Sequence, residues 1–280
     1  MKLVRFGEPG AERPGVIDAD GAIRDASGLV DDYGPETLSP ALMDKLAAID
    51  PASLPKAPEG VRIGSPVRRI GHFIAIGLNY ADHAAETGAA IPNEPIVFSK
   101  APSCLCGPND DVLMPKGSQK LDWEVELAVV IGERCDYVTE EEALSKVFGY
   151  ALCNDVSERA YQAERGGQWI KGKSAPTFGP LGPWLVTADE VADPQNLSMF
   201  LDVNGERMQT GTTATMIFPV AEIVSYLSEF MVLEPGDVIT TGTPPGVGLG
   251  KKPPKFLKVG DTMHLGIDGL GEQRQTVVGR

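Results

Sequence analysis

Short apolar runs alternate with turn-forming residues along the chain, and the period of each run decides its element. Runs rich in β-branched and aromatic residues predict strands over Lys2 to Phe6, Gly15 to Asp18, Ala22 to Asp25, Phe73 to Ile76, Glu124 to Ile131, Phe148 to Asn154 and Val238 to Thr241. Asn204-Gly205 predicts a hairpin between Met199–Val203 and Glu206–Gln209, and Asp268-Gly269 predicts another near the C-terminus. Helices are expected over Pro40 to Ala48, Ala81 to Thr87, Glu140 to Val147, Ser157 to Arg165 and Val220 to Phe230. Strands and helices do not alternate regularly, which excludes a doubly wound parallel sheet. The expected class is mixed β with few short helices (α+β). Pro51, Pro55, Pro58 and Pro66 form a connector. It divides a small N-terminal α+β domain, residues 1–66, from a larger domain, residues 67–280.

Composition narrows the partners. The 280 residues carry a formal net charge of −14, the opposite of the basic footprint that nucleic acid requires. No apolar run is long enough to span a bilayer, and the start of the chain lacks a secretion signal's apolar core. Cys104, Cys106, Cys135 and Cys153 have neither the paired spacing of zinc sites nor the density of a disulfide framework. A cytoplasmic protein with reduced thiols is expected.

The chemistry gathers at a few positions. Glu124 and Glu126 lie two apart in the strand-like run Trp123 to Ile131, so their side chains share a face. Two carboxylates on one face of a buried strand repel each other unless a cation sits between them. With Asp155, at the end of the next strand, they offer oxygens suited to Mg²⁺ or Mn²⁺. The competing reading is an edge strand with a solvated acidic face. Arg159 and Gln162 share a face of the following helix, and an arginine fork binds carboxylates bidentately. Lys173, in Trp169-Ile170-Lys171-Gly172-Lys173-Ser174, suits oxyanion stabilisation if partly desolvated. His83 and Glu86 are three apart, as a base and its orienting carboxylate would be, on a two-turn helix that could close over a substrate. Asn79 and Gly88 read as its caps. Thr240 to Gly248 is glycine-rich, but no Gly-Lys-Ser/Thr follows, so nucleotide binding is rejected. The loop is expected to present backbone N–H groups and the Thr243 hydroxyl to a small anion.

Five motifs in this order resemble the fumarylacetoacetate hydrolase family. They are Gly-Leu-Asn-Tyr-Ala-Asp-His (77–83), Asp-Trp-Glu-Val-Glu (122–126), Asn-Asp-Val-Ser-Glu-Arg (154–159), Lys-Gly-Lys-Ser (171–174) and Thr-Gly-Thr-Pro-Pro-Gly-Val-Gly (241–248). The resemblance runs from about Gly71 to the C-terminus. It implies a β-roll catalytic domain with a divalent metal on Glu124, Glu126 and Asp155. It also implies a His83–Glu86 dyad on a lid, with Lys173, Arg159, Gln162 and Thr243 around the substrate, and a homodimer. The additional Asp ligand of the larger eukaryotic members has no evident counterpart here, so water is expected in its place. The N-terminal segment and Trp169 to Lys173 look most like bacterial members acting on 2,4-dioxo-3-deoxy sugar acids. The implied activity is Mg²⁺-dependent hydrolysis of a carbon–carbon bond in a 2,4-dioxo acid, such as 2,4-dioxo-3-deoxy-L-rhamnonate or -fuconate, to pyruvate and lactate. A dioate isomerase or an oxaloacetate decarboxylase would use the same scaffold, and a non-catalytic protein that binds small acids is the alternative of another class.

Overall fold

The structure is a computed structural model that describes residues 1–82, 86, 88 and 90–280. It is mostly β with a few short helices. The main sheet runs in the order Ile23–Asp25, Arg13–Ile17, Lys2–Phe6, Leu185–Thr187, Val147–Asn154, Val125–Ile131, Val238–Thr240, Phe73–Gly77, Ile96–Lys100. Neighbours along this path are antiparallel, except that Val238–Thr240 runs parallel to Phe73–Gly77. The central strand Val125–Ile131 is buried at every position. A strand covered on both faces reads as a continuous apolar run rather than an alternation, and Glu126 is the one charged residue in this one. The fold therefore holds a carboxylate in its most apolar layer.

A second sheet, Glu206–Thr212, Ser198–Val203, Thr262–Ile267, Gly271–Gly279 and Val112–Met114, packs across the central strands. Both expected hairpins are present, and Asn204 and Gly205 have the positive φ values of +52° and +79° that an Asn-Gly turn supplies. Buried amides join the two sheets. Asn154 donates to Gln275 Oε1 (3.0 Å), Gln273 donates to the Leu152 carbonyl (2.8 Å), and Gln209 Oε1 accepts from the Val125 amide (3.0 Å). Helix Val220–Phe230 forms as expected and buries Val220, Ile223, Val224 and Leu227, an i, i+3, i+4, i+7 stripe.

Other expectations change. The helix expected from Glu140 is a single α-turn, Glu140–Ala143, followed by a 3₁₀ turn to Lys146. Ser157–Glu158 is a short strand paired with Leu121–Asp122, and the helix starts only at Arg159. Glu158 caps that helix by accepting from the Ala160 amide, so the strand pairing sets the boundary. The N-terminal segment continues the main sheet, because Lys2–Phe6 pairs with Leu185–Thr187. Ion pairs Arg5–Asp32 (2.6 Å) and Arg62–Asp110 (2.5 Å) tie down the chain on either side of it. Among the described residues no helix is long and apolar enough to cross a membrane.

Asn79, read from sequence as a helix cap, instead staples three segments. Its fully buried amide donates to the carbonyls of Phe218 (3.0 Å) and Thr241 (2.8 Å) and accepts from the Phe218 amide (2.8 Å). Leaving these buried groups unpaired is costly. Asn79→Leu should destabilise the protein by about 3 kcal/mol, since a few buried groups each lose about 1 kcal/mol or more, and urea unfolding measures it.

Candidate metal centre and active site

Three carboxylates meet at the middle of the main sheet. Glu124 and Glu126 come from the start of the central strand, and Asp155 comes from just past the end of Val147–Asn154. The pairing of Val125 with Asn154 brings the two ends together. One oxygen from each lies within 4.8 Å of the others, and all three residues are buried. Burial pushes the Glu126 carboxyl well above the usual carboxylate range, and the neighbouring Asp155 and Glu124 push it further. Glu126 accepts from the Gly242 amide (2.8 Å).

The basic groups around them go to the other carboxylates. Lys173 Nζ donates to Glu124 Oε2 and Asp155 Oδ2, both at 2.7 Å. Lys100 Nζ donates to Asp155 Oδ1 and to the Lys173 carbonyl (2.5 Å). Burial opposes the charge on Lys100, but Asp155, with Cys104 and Cys153 beside it, together outweigh burial and hold the ammonium above its ordinary pKa. Arg159 Nε donates to Asp122 Oδ2 (2.8 Å), Nη1 donates to Gln162 Oε1 (3.1 Å), and Nη2 lies 2.6 Å from Glu124 Oε1. Among the described residues Asp122, Glu124, Glu126 and Asp155 thus face Lys100, Arg159 and Lys173, so that with all four carboxyls ionised one negative charge is in surplus. Glu126 is in no ion pair among the described residues. Buried oxygen donors with an uncompensated charge fit a hard divalent cation.

Local sequence aims Lys173 inward. A Cβ on Gly172 would lie 2.5 Å from both the Gln162 amide nitrogen and the Glu158 carbonyl oxygen. Glycine therefore allows the turn Ile170–Lys173 to press against Arg159–Ala163, which buries Lys173 while Lys171 stays outside on the Arg165 carbonyl (2.7 Å).

The loop after Val238–Thr240, expected to present amides to a small anionic substrate, presents them to the protein's own carboxylates. Gly242 donates to Glu126, Gly246 to Glu86 (2.9 Å to Oε2), and Gly248 and Leu249 to Asp122 (2.7 and 3.0 Å). The Thr243 hydroxyl donates to the Val125 carbonyl (2.9 Å) and accepts from Gln209 (2.8 Å), which fastens this loop to the central strand. His83 lies outside the described residues, as does much of the helix expected around it. In front of these groups opens a cavity of about 220 Å³, whose polar lining is Glu124, Glu126, Arg159, Gln162, Lys173 and Thr243.

Residues 72–278 match the profile of the fumarylacetoacetate (FAA) hydrolase C-terminal domain. The chain belongs to the fumarylacetoacetate hydrolase family. A Burkholderia ambifaria protein with only the provisional name of hydrolase is 60% identical over 277 residues, 99% of this chain and 98% of that one. The fumarylacetoacetate hydrolase of Exiguobacterium antarcticum shares the fold at a TM-score of 0.89 and 38% identity, covering 100% of both chains. The maleylpyruvate hydrolase of a Sphingobium strain does so at 0.83 and 33%, again over 100% of both. Mycobacterial structures named as dioate isomerases share the fold as well.

Within this family fold, four residues that sequence reasoning gave no role border the site. Asp122 orients Arg159, Lys100 holds Asp155, and Phe98 and Trp169 wall the cavity. Lys100 ends the strand Ile96–Lys100, and nothing local distinguishes it from a solvated lysine.

Two outcomes follow from the charge balance. Without metal, folded Glu126 keeps a proton that the unfolded chain has lost, so stability should fall as pH rises above the ordinary carboxylate range. Added divalent cation should flatten that decline in melting scans. Lys100→Met breaks a buried ion pair and should destabilise metal-free protein by about 3–5 kcal/mol. Because it enlarges the negative surplus, a divalent cation should raise this variant's melting temperature more than the wild type's.

Proposed function

We propose that the protein is a Mg²⁺- or Mn²⁺-dependent hydrolase that cleaves the C3–C4 bond of an acylpyruvate-type 2,4-dioxo acid. Water and substrate give pyruvate and the carboxylic acid of the acyl group. The observation that carries this reading is the buried surplus of one negative charge beside the cavity. A divalent cation on Glu124, Glu126 and Asp155 would turn that surplus into one positive charge, which suits a substrate bearing a single carboxylate. When bound, the cation would supply Lewis acidity for the 2-oxo acid end and for the enolate charge that develops as the bond breaks.

The chain's own residues supply the rest. Lys173 has three N–H donors, of which two point at Glu124 and Asp155. The third serves the oxyanion that forms at C4. Arg159, held by Asp122 and Glu124, presents its guanidinium to the polar end of the cavity. His83 takes the proton of the water that attacks C4, with Glu86 as its orienting carboxylate, and Glu86 is anchored on the Gly246 amide. The hydrolase names of the Exiguobacterium and Sphingobium structures support this class. A 2,4-dioxo-3-deoxy-rhamnonate or -fuconate, which carries a hydroxyl on its acyl group and would give pyruvate and lactate, is the sugar-acid member of this substrate class. Dioate isomerisation or oxaloacetate decarboxylation is the second reading, favoured by the isomerase names of other neighbours.

Pyruvate release from acetylpyruvate should require added Mg²⁺ and stop with a chelator, whereas a non-catalytic binding protein would release none. His83→Ala should lower hydrolysis by about 10²–10⁴-fold, the usual range for general-base catalysis. Any oxaloacetate decarboxylation should fall much less, because it needs no activated water. Equal losses would assign His83 to shaping the site.

A further inference from the structure

The cavity changes character away from the carboxylates. Lys173 Nζ sits 5.2 Å from the Phe98 ring centroid, and Phe98 in turn meets Trp169 edge-on, with centroids 5.2 Å apart and planes at 61°. The order outward is therefore ammonium, phenyl ring, indole. Trp169 is seated by a missing side chain, since a Cβ on Gly77 would lie 2.5 Å from the indole ring. Ile76, Leu78, Val247 and Leu249 also line the cavity. Among the described residues the polar lining groups are largely engaged with the protein: Glu126 with Gly242, Thr243 with Val125 and Gln209, Arg159 with Asp122, Gln162 Oε1 with Arg159, and two of the three Lys173 N–H groups with Glu124 and Asp155. A ligand hydroxyl packed on the faces of the Phe98 and Trp169 rings would lose water without gaining a full hydrogen bond there, which is unfavourable. A methylene there would instead be buried favourably.

We propose that Trp169 and Phe98 are specificity-determining residues that select an alkyl or aryl acyl group over a hydroxylated one. The assignment of this wall to the acyl end rests on the acylpyruvate reading above.

The test is the affinity of Mg²⁺-loaded protein for the straight-chain 2-oxo acids from pyruvate to 2-oxohexanoate, by titration calorimetry. Affinity should rise by about 3–4-fold for each methylene, as burial of one CH₂ implies. Trp169→Ala should flatten the series, and Gly77→Ala, which pushes on the indole, should flatten it partly. A flat or falling series in the wild type overturns the proposal, as does an unchanged slope in Trp169→Ala. Turnover gives a second arm: kcat/KM for 2,4-dioxohexanoate should exceed that for its 5-hydroxy analogue several-fold, and the reverse order would overturn the proposal. If the 2-oxo acid series rises as expected but no dioxo acid is cleaved, the hydrolase reading fails while the apolar wall stands.

Discussion

The structure depends on one electrostatic constraint: a surplus carboxylate is held in the most apolar layer of the main sheet. Glu126 is flanked by Val125 and Leu127 in a strand with no exposed face. Its neighbours Glu124 and Asp155 take the available ammonium and guanidinium groups. An interior this dry makes an unpaired charge expensive. The fold therefore either protonates Glu126 or admits a cation, and on the proposed function a cation would also prepare the site for an anionic substrate. Substrate affinity and metal occupancy would then be two expressions of one charge balance.

Much of the surrounding architecture serves that balance. The loop after Val238–Thr240 turns its amides onto Glu126, Glu86 and Asp122, fixing three carboxylates with dipoles rather than full charges. Asp122 in turn holds Arg159, and Lys100 holds Asp155 while bonding the Lys173 carbonyl. Each group close to the reacting centre is thus braced by one further out, as a site that must keep its geometry through turnover requires. Asn79 fastens the chain just beyond Phe73–Gly77 to Phe218 and Thr241.

What could be read from the sequence was local. The two-residue spacing of Glu124 and Glu126 in an apolar run places both on one strand face, and Asp155 at a strand end needs only the adjacent hairpin partner to join them. The Asn204-Gly205 turn and the apolar stripe of Val220–Phe230 were legible for the same reason. Readings failed where a distant partner decided the outcome. Ser157 and Glu158 leave the expected helix because Leu121–Asp122 pairs with them. The glycine-rich loop was read as presenting amides to a small anionic substrate, but the amides of Gly242, Gly246 and Gly248 go to carboxylates elsewhere in the chain. Lys100 and Trp169 gain their positions from tertiary packing alone, which no periodicity records.

The central claim is that Glu126 carries the surplus charge which a divalent cation balances. Titration calorimetry of Mn²⁺ into metal-stripped protein, at neutral pH in two buffers of different ionisation enthalpy, tests it most directly. The account predicts one Mn²⁺ per chain with net release of protons, since the ligand carboxyls must be deprotonated to bind. No binding, or binding without any proton release, would contradict it.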